Sequence, residues 1–245
     1  GTGLGVVLFQ RIPVFALLVI DAASFMGSLV MLFLAERQYV ARTAPLPVGD
    51  PQPVALRWQT LTLRQKRSLL ILPALAAVGS PAMALLPALA QQINPENAAG
   101  LALPLLFARS LGQLCGPLLL RKESLTRFAA RTPLLLSCLA LFLAAYGLLP
   151  FLSAWVVLAL GMIFIAHLAS NIVFAAGTFG VLSNFQAIQI SAASGKAWRW
   201  QTLSASLFTG LAAMTATIMG AAQTLYAVSA IALLLVALVL ARYRE

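Results

Sequence analysis

The chain has 245 residues, 61% of them hydrophobic and only 9% charged, with sixteen Lys and Arg against six Asp and Glu and a net charge of +10. A soluble domain carries about 25% charged residues, so the chain has too few charges to solvate a globular surface and a soluble fold is excluded. The basic excess is not interleaved with aromatic or polar readers on a soluble face, which argues against nucleic-acid binding. Lys and Arg gathered in the cytoplasmic loops of a membrane protein account for it instead.

Taken in chain order, residues 1–9 read as the end of a helix already under way. No basic segment precedes them, so no signal peptide is read there. The chain is therefore expected to be a fragment of a longer protein or a truncated gene product. Apolar runs follow at about 13–34, 69–90, 100–120, 133–150, 154–178, 202–222 and 224–241. Most approach or exceed the roughly 20 residues a helix needs to cross about 30 Å of hydrocarbon. The expectation is seven full spans and one stub.

The connection 35–68 carries Pro45, Pro47, Pro51 and Pro53 with Gly49 and Asp50, a composition that predicts an extended linker. Its end, LRWQTLTLRQKRS, is amphipathic and expected to lie along the membrane surface. Three domains follow from this reading: 1–34, 35–68 as a cytoplasmic linker, and 69–245 as a six-helix bundle. Of the sixteen basic residues, fourteen fall in connections 35–68, 121–132 and 179–201 and in the tail; Arg11 lies on the other side and Arg109 within a span. That asymmetry predicts a cytoplasmic C-terminus.

The stretch LLVIDAASFMGSLVMLFL, residues 17–34, resembles the sixth helix of the bacterial efflux branch of the major facilitator superfamily, matching FLIDALSFLVSALLL at Ile20, Asp21, Ala22, Ser24 and Phe25. That branch includes enterobactin-exporter-like and macrolide-efflux-like proteins. GTGLGVV is similar to the end of the GP-x-x-GG motif of exporters, with Gly1 and Gly5 in place and Thr2 and Val6 replacing the Pro and second Gly. GPLLLRKESLTR resembles the basic turn G-x-L-x-D-R-x-G-R at Gly116, Leu118 and Arg121, with Leu120 at the Asp position. NFQAIQISAASGKAWRW is similar to the connection ahead of helix eleven at Gln189, Gly195 and Lys196.

The resemblance implies an all-α membrane protein: a C-terminal six-helix bundle of a major facilitator fold, with the last helix and a half of the N-terminal bundle. It implies a bacterial inner-membrane secondary transporter that moves a small amphipathic compound, drug or siderophore-like, out of the cytoplasm in exchange for protons. The partners would be that substrate, protons, the bilayer and five or so further helices of the same protein. A non-transporting remnant or scaffold protein, or a lipid or lysolipid transporter of the same fold, are the alternatives.

Five residues are candidates for the substrate or proton pathway. Asp21 sits about 12 Å into its span, where a charge must face protein or water. Ser24 and Ser28 share its face. It is a proton-linked carboxylate or a helix-positioning hydrogen-bonding group. Arg109 lies too deep to snorkel and needs an acidic substrate, a carboxylate such as Asp21, or backbone carbonyls beside Pro104. Gln113 follows it at i+4, with Gly112 and Gly116 on the same face, which suits close helix approach and a cross-helix hydrogen bond. His167, the only histidine, is a core residue or a proton relay, with Ser170 and Asn171 on its face.

Along the next-to-last span, Ser206, Gly210, Ala213, Thr217 and Gly220 form a small-residue face expected to pack closely. Cys115 and Cys138 fall inside apolar runs, and no Cys/His grouping has metal-ligand spacing. No cofactor or metal is expected. With no Ser/His/Asp, paired-carboxylate or P-loop arrangement, neither is enzymatic activity.

Overall fold

A computed structural model describes residues 13–42, 56–96 and 98–243. The chain divides into two compact units, Gly1–Val54 and Ala55–Glu245. No strand occurs among the described residues.

In the first unit α1 spans Val14–Arg42. At 29 residues it is about 44 Å long and continues beyond the predicted end at 34. Its described apolar stretch is Ala22–Ala35. Ser28 donates to the Ser24 carbonyl at 2.9 Å, and the Arg37 guanidinium lies 4.7 Å from the Phe33 ring centroid. The predicted stub at 1–9, Arg11, and the linker prolines lie outside the described residues.

The second unit contains α2 (Leu63–Ile93), α3 (Ala98–Leu118), the short α4 (Lys122–Ala130), α5 (Thr132–Leu148), α6 (Val156–Asn184), α7 (Ala187–Met219) and α8 (Ala221–Arg242). All but α4 are long and apolar enough to cross a membrane. α2 is the hub: it packs against α3, α5, α6, α7 and α8. Its Val78, Leu86 and Leu89 are fully buried with Leu105, Leu139, Ile163 and Leu225. The outward faces are apolar as well. Leu203, Leu207, Met214 and Ile218 on α7 and Leu234 and Leu238 on α8 are exposed, which suits a lipid solvent and would aggregate a soluble protein.

Two readings of the sequence are corrected here, and a third is filled in. LRWQTLTLRQKRS is not a separate surface segment. A 3₁₀ turn at Trp58–Thr60 leads into α2, which starts on a capping box: Thr62 accepts from the Gln65 amide and Gln65 accepts from the Thr62 amide. The connection 179–201 is almost entirely helical, with α6 running to Asn184 and α7 starting at Ala187. Ala193 and Ala197 are buried against Leu69 and Leu72, and this packing recruits a stretch too polar to read as a span. The connection 121–132 contains the helix α4.

α7 has 33 residues, about 50 Å, against about 30 Å of hydrocarbon. Its surplus turns therefore stand beyond the apolar layer, and Lys196 and Arg199 mark the end at which they do. That end is a polar corner. Buried Arg67 donates from Nε to the Ala129 carbonyl at 2.9 Å and from Nη1 to Thr132 Oγ1 at 2.8 Å, fastening α2 to the α4–α5 turn. Gln65 donates to the Asn184 carbonyl and Asn184 to Ser68 Oγ, fastening α2 to the end of α6. Lys196 donates to the Leu56 carbonyl, and Trp58 packs edge-on against Trp200 and Tyr243.

The turn between α7 and α8 falls at Gly220, whose φ of +82° is the left-handed region that a side chain resists. The small-residue face predicted to pack closely does not do so within its own unit. Ser206, Gly210, Ala213 and Thr217 are exposed, and it is Ala212 that is buried.

Candidate functional site

Inside the second unit lies a cavity of about 450 Å³. Its walls come from α2, α3, α5, α6 and α7. Polar groups from four of these helices meet there: Ser80, Gln113, His167, Asn171, Gln201 and Thr202. Phe142, Phe174 and Trp198 supply aromatic surface, with Phe174 and Trp198 packed edge to face at 6.1 Å. None of the described lining residues is Asp, Glu, Lys or Arg.

Two close helix approaches build the site. A Cβ on Gly112 would overlap the Phe164 carbonyl oxygen and lie 3.1 Å from His167 Cβ. One turn on, a Cβ on Gly116 would lie 2.9 Å from Asn171 Cβ and 3.0 Å from the Leu168 oxygen. α3 and α6 thus run side by side, in parallel, at backbone contact. Small residues permit this approach, and it brings Gln113 to the wall that His167 and Asn171 occupy.

His167 is 1% exposed and Tyr146 fully buried. Tyr146 Oη and His167 Nε2 are 2.7 Å apart. Phe142 abuts both rings, at 4.7 Å from Tyr146 and 5.5 Å from His167. Ser170 Oγ and Asn171 Nδ2 donate to the His167 carbonyl, at 3.1 Å and 3.0 Å. His167 Nδ1 and Gln201 Oε1 are buried and, among the described residues, have no hydrogen-bond partner.

Of the residues singled out in the sequence, Gln113, His167 and Asn171 come together on this cavity. Arg109 is half-buried, one turn from Gln113, and is not in the wall. Asp21 lies on α1 in the other unit, and its side chain falls outside the described residues. Sequence reasoning missed Tyr146, Gln201 and the aromatic wall. Phe174 had a signal, seven residues after His167 and so on its face. Trp198 and Gln201 were hidden because their stretch reads as a connection. Among the described residues no group of three His, Cys, Asp or Glu is placed to hold a metal.

No family model, curated protein or solved structure matches this chain. The helices themselves establish the class. With six apolar helices of membrane-crossing length, this is an all-α, multi-pass membrane protein.

Proposed function

We propose that the chain belongs to a secondary transporter of the major facilitator type, which moves a small amphipathic compound out of the cytoplasm in exchange for protons. The observation that carries this reading is the cavity. Polar side chains in an apolar bundle cost free energy unless they serve each other, water or a ligand. Here several converge on one space of about 450 Å³ walled by helices long enough to cross a membrane. Binding sites of transporters lie at such mid-membrane positions, and one bundle rocks against another around them. The exposed Ser206–Gly210–Ala213–Thr217 face suits close approach of a further helix and supports a two-bundle protein.

The polar corner supports the sidedness of this reading. Arg64, Lys66, Arg67, Lys122, Arg127, Arg131 and Lys196 gather at the end where α2 begins and α8 finishes. The positive-inside rule favours this as the cytoplasmic end, and the reading puts the protein in a bacterial inner membrane. The chemistry is transport rather than catalysis.

The test is collapse of an imposed pH gradient across vesicles containing the chain. The probes are diphenyl phosphate, triphenylphosphine oxide and methyltriphenylphosphonium. At least one is expected to discharge the gradient faster than empty vesicles do. Asp21→Asn, at equal protein content, is expected to remove the effect if that carboxylate couples protons. No acceleration by any probe would refute proton-coupled transport, and an unchanged Asp21→Asn would remove Asp21 from the coupling path.

A further inference from the structure

The polar corner holds a further cavity. It measures about 260 Å³ and lies between α2, α4 and α6, smaller than the about 300–1,000 Å³ of sites for drug-sized ligands. Arg64 from α2, Thr126 from α4 and Ser183 from α6 stand in its wall, and all three are exposed. Buried Arg67 adds a second guanidinium to the wall, tied to Ala129 and Thr132. The Ser183 hydroxyl is 3.5 Å from the Gly180 carbonyl, a separation too long to hold it, so it can turn to a ligand. Phe179, one turn deeper on α6, makes the wall apolar below. None of the described lining residues is Asp or Glu.

This cavity stands where the charge of the second unit is gathered. Every described Lys and Arg of that unit except Arg109 lies at this end, with one described acid, Glu123, which is exposed and outside the wall. Trp58 packs on Trp200 and Tyr243 at the same end, and these residue types sit at the headgroup level of a bilayer. On α4, Phe128 packs against the core while Lys122 and Arg127 are exposed, as in a helix lying in the interface. A guanidinium meets a phosphate through a planar fork of N–H groups. The hydroxyls on the two other helices stand beside it for the remaining phosphate oxygens. A carboxylate would engage the fork and leave those hydroxyls unused, and a cation would meet two positive charges.

We infer that this cavity binds a phosphate group, carried by an anionic phospholipid headgroup or by a soluble phosphate. Arg64 takes the phosphate, the Thr126 and Ser183 hydroxyls complete the site, and Phe179 meets the apolar part of a lipid. This binding does not depend on passage of a solute through the cavity beside His167.

The test is native mass spectrometry of the 245-residue chain, released from neutral detergent after incubation with equimolar phosphatidylglycerol and phosphatidylcholine of the same acyl chains. The choline ammonium cancels the phosphate charge. Phosphatidylglycerol is expected to be retained about tenfold over phosphatidylcholine, the worth of one charge-assisted hydrogen bond. Arg64→Gln and Thr126→Glu are each expected to bring the two lipids close to parity. Both positions are exposed, so neither exchange disturbs the core, and each result stands if the other variant fails to fold. Arg199→Gln removes an exposed charge at the same end but outside the wall, and is expected to change the ratio by less than about twofold. The second arm is the thermal unfolding midpoint in inorganic phosphate against chloride at equal ionic strength. A rise in phosphate that Arg64→Gln removes, without a lipid preference, assigns the site to a soluble phosphate; the lipid preference assigns it to a headgroup. Neither effect in wild type overturns the inference. So does an effect that Arg199→Gln lowers as much as Arg64→Gln does, since that is attraction to the basic end at large.

Discussion

Gly112→Ala is expected to be among the most damaging single-methyl substitutions in the bundle, and Gly210→Ala among the most harmless. Both lie inside long helices, where alanine is intrinsically preferred to glycine by up to about 1 kcal/mol. At Gly210 the new methyl meets nothing within 4 Å, so stability should hold or rise slightly. At Gly112 it would overlap the Phe164 carbonyl oxygen and crowd His167 Cβ at 3.1 Å. A backbone carbonyl cannot rotate aside as a side chain can, so α3 and α6 must separate. Overpacking of this kind costs about 1–3 kcal/mol, and the upper part of the range is expected. Reversible unfolding in mixed micelles gives both numbers. Equal stability of the two variants would mean that α3 and α6 do not touch at Gly112.

Arg67→Met is expected to lose about 3 kcal/mol in the same measurement. The guanidinium is 5% exposed and ties α2 to the Ala129 carbonyl and to Thr132 Oγ1. Methionine fills much of the volume and donates nothing. The acceptors at a buried corner then lose their partners, at about 1–3 kcal/mol each. Arg67→Lys keeps the charge and should recover less than half of the loss, because one ammonium cannot reproduce the planar fork that reaches two acceptors. Full stability in Arg67→Met would show that the corner is solvated and that Arg67 serves only as a topological charge.

Arg67 also marks how far the sequence could be read. In one dimension it is one more basic residue in a connection, and it adds to the asymmetry of charge. That its side chain turns inward depends on α4 and on Thr132, elements that only folding brings to it. The six long apolar helices of the second unit were legible because a membrane span is written in composition and length, which need no partner. α7 was placed fifteen residues too late, because residues 187–201 are too polar to read as a span. They are helical through Ala193 and Ala197, which pack against Leu69 and Leu72.

At the site, Gln113, His167 and Asn171 were legible as polar residues stranded in apolar runs. Tyr146 was not, since a tyrosine near the end of an apolar run is commonplace and its worth lies in a bond to a helix one connection away. Gln201 and Trp198 were lost with the misplaced start of α7. The small-residue faces show the same limit. Gly112 and Gly116 pack as their spacing suggests, whereas Ser206, Gly210, Ala213 and Thr217 do not within their unit. Spacing says that a close approach is possible, not which helix makes it.

The central claim is that the cavity beside His167 is the path of a transported solute, and probe-driven collapse of a pH gradient tests it most directly when wild type is compared with Ala205→Trp. Ala205 lines the cavity from α7, and an indole there fills the space without touching the α3–α6 contact. The expected result is acceleration over empty vesicles in wild type and none in Ala205→Trp at equal protein content. Equal acceleration by the two proteins would contradict the claim.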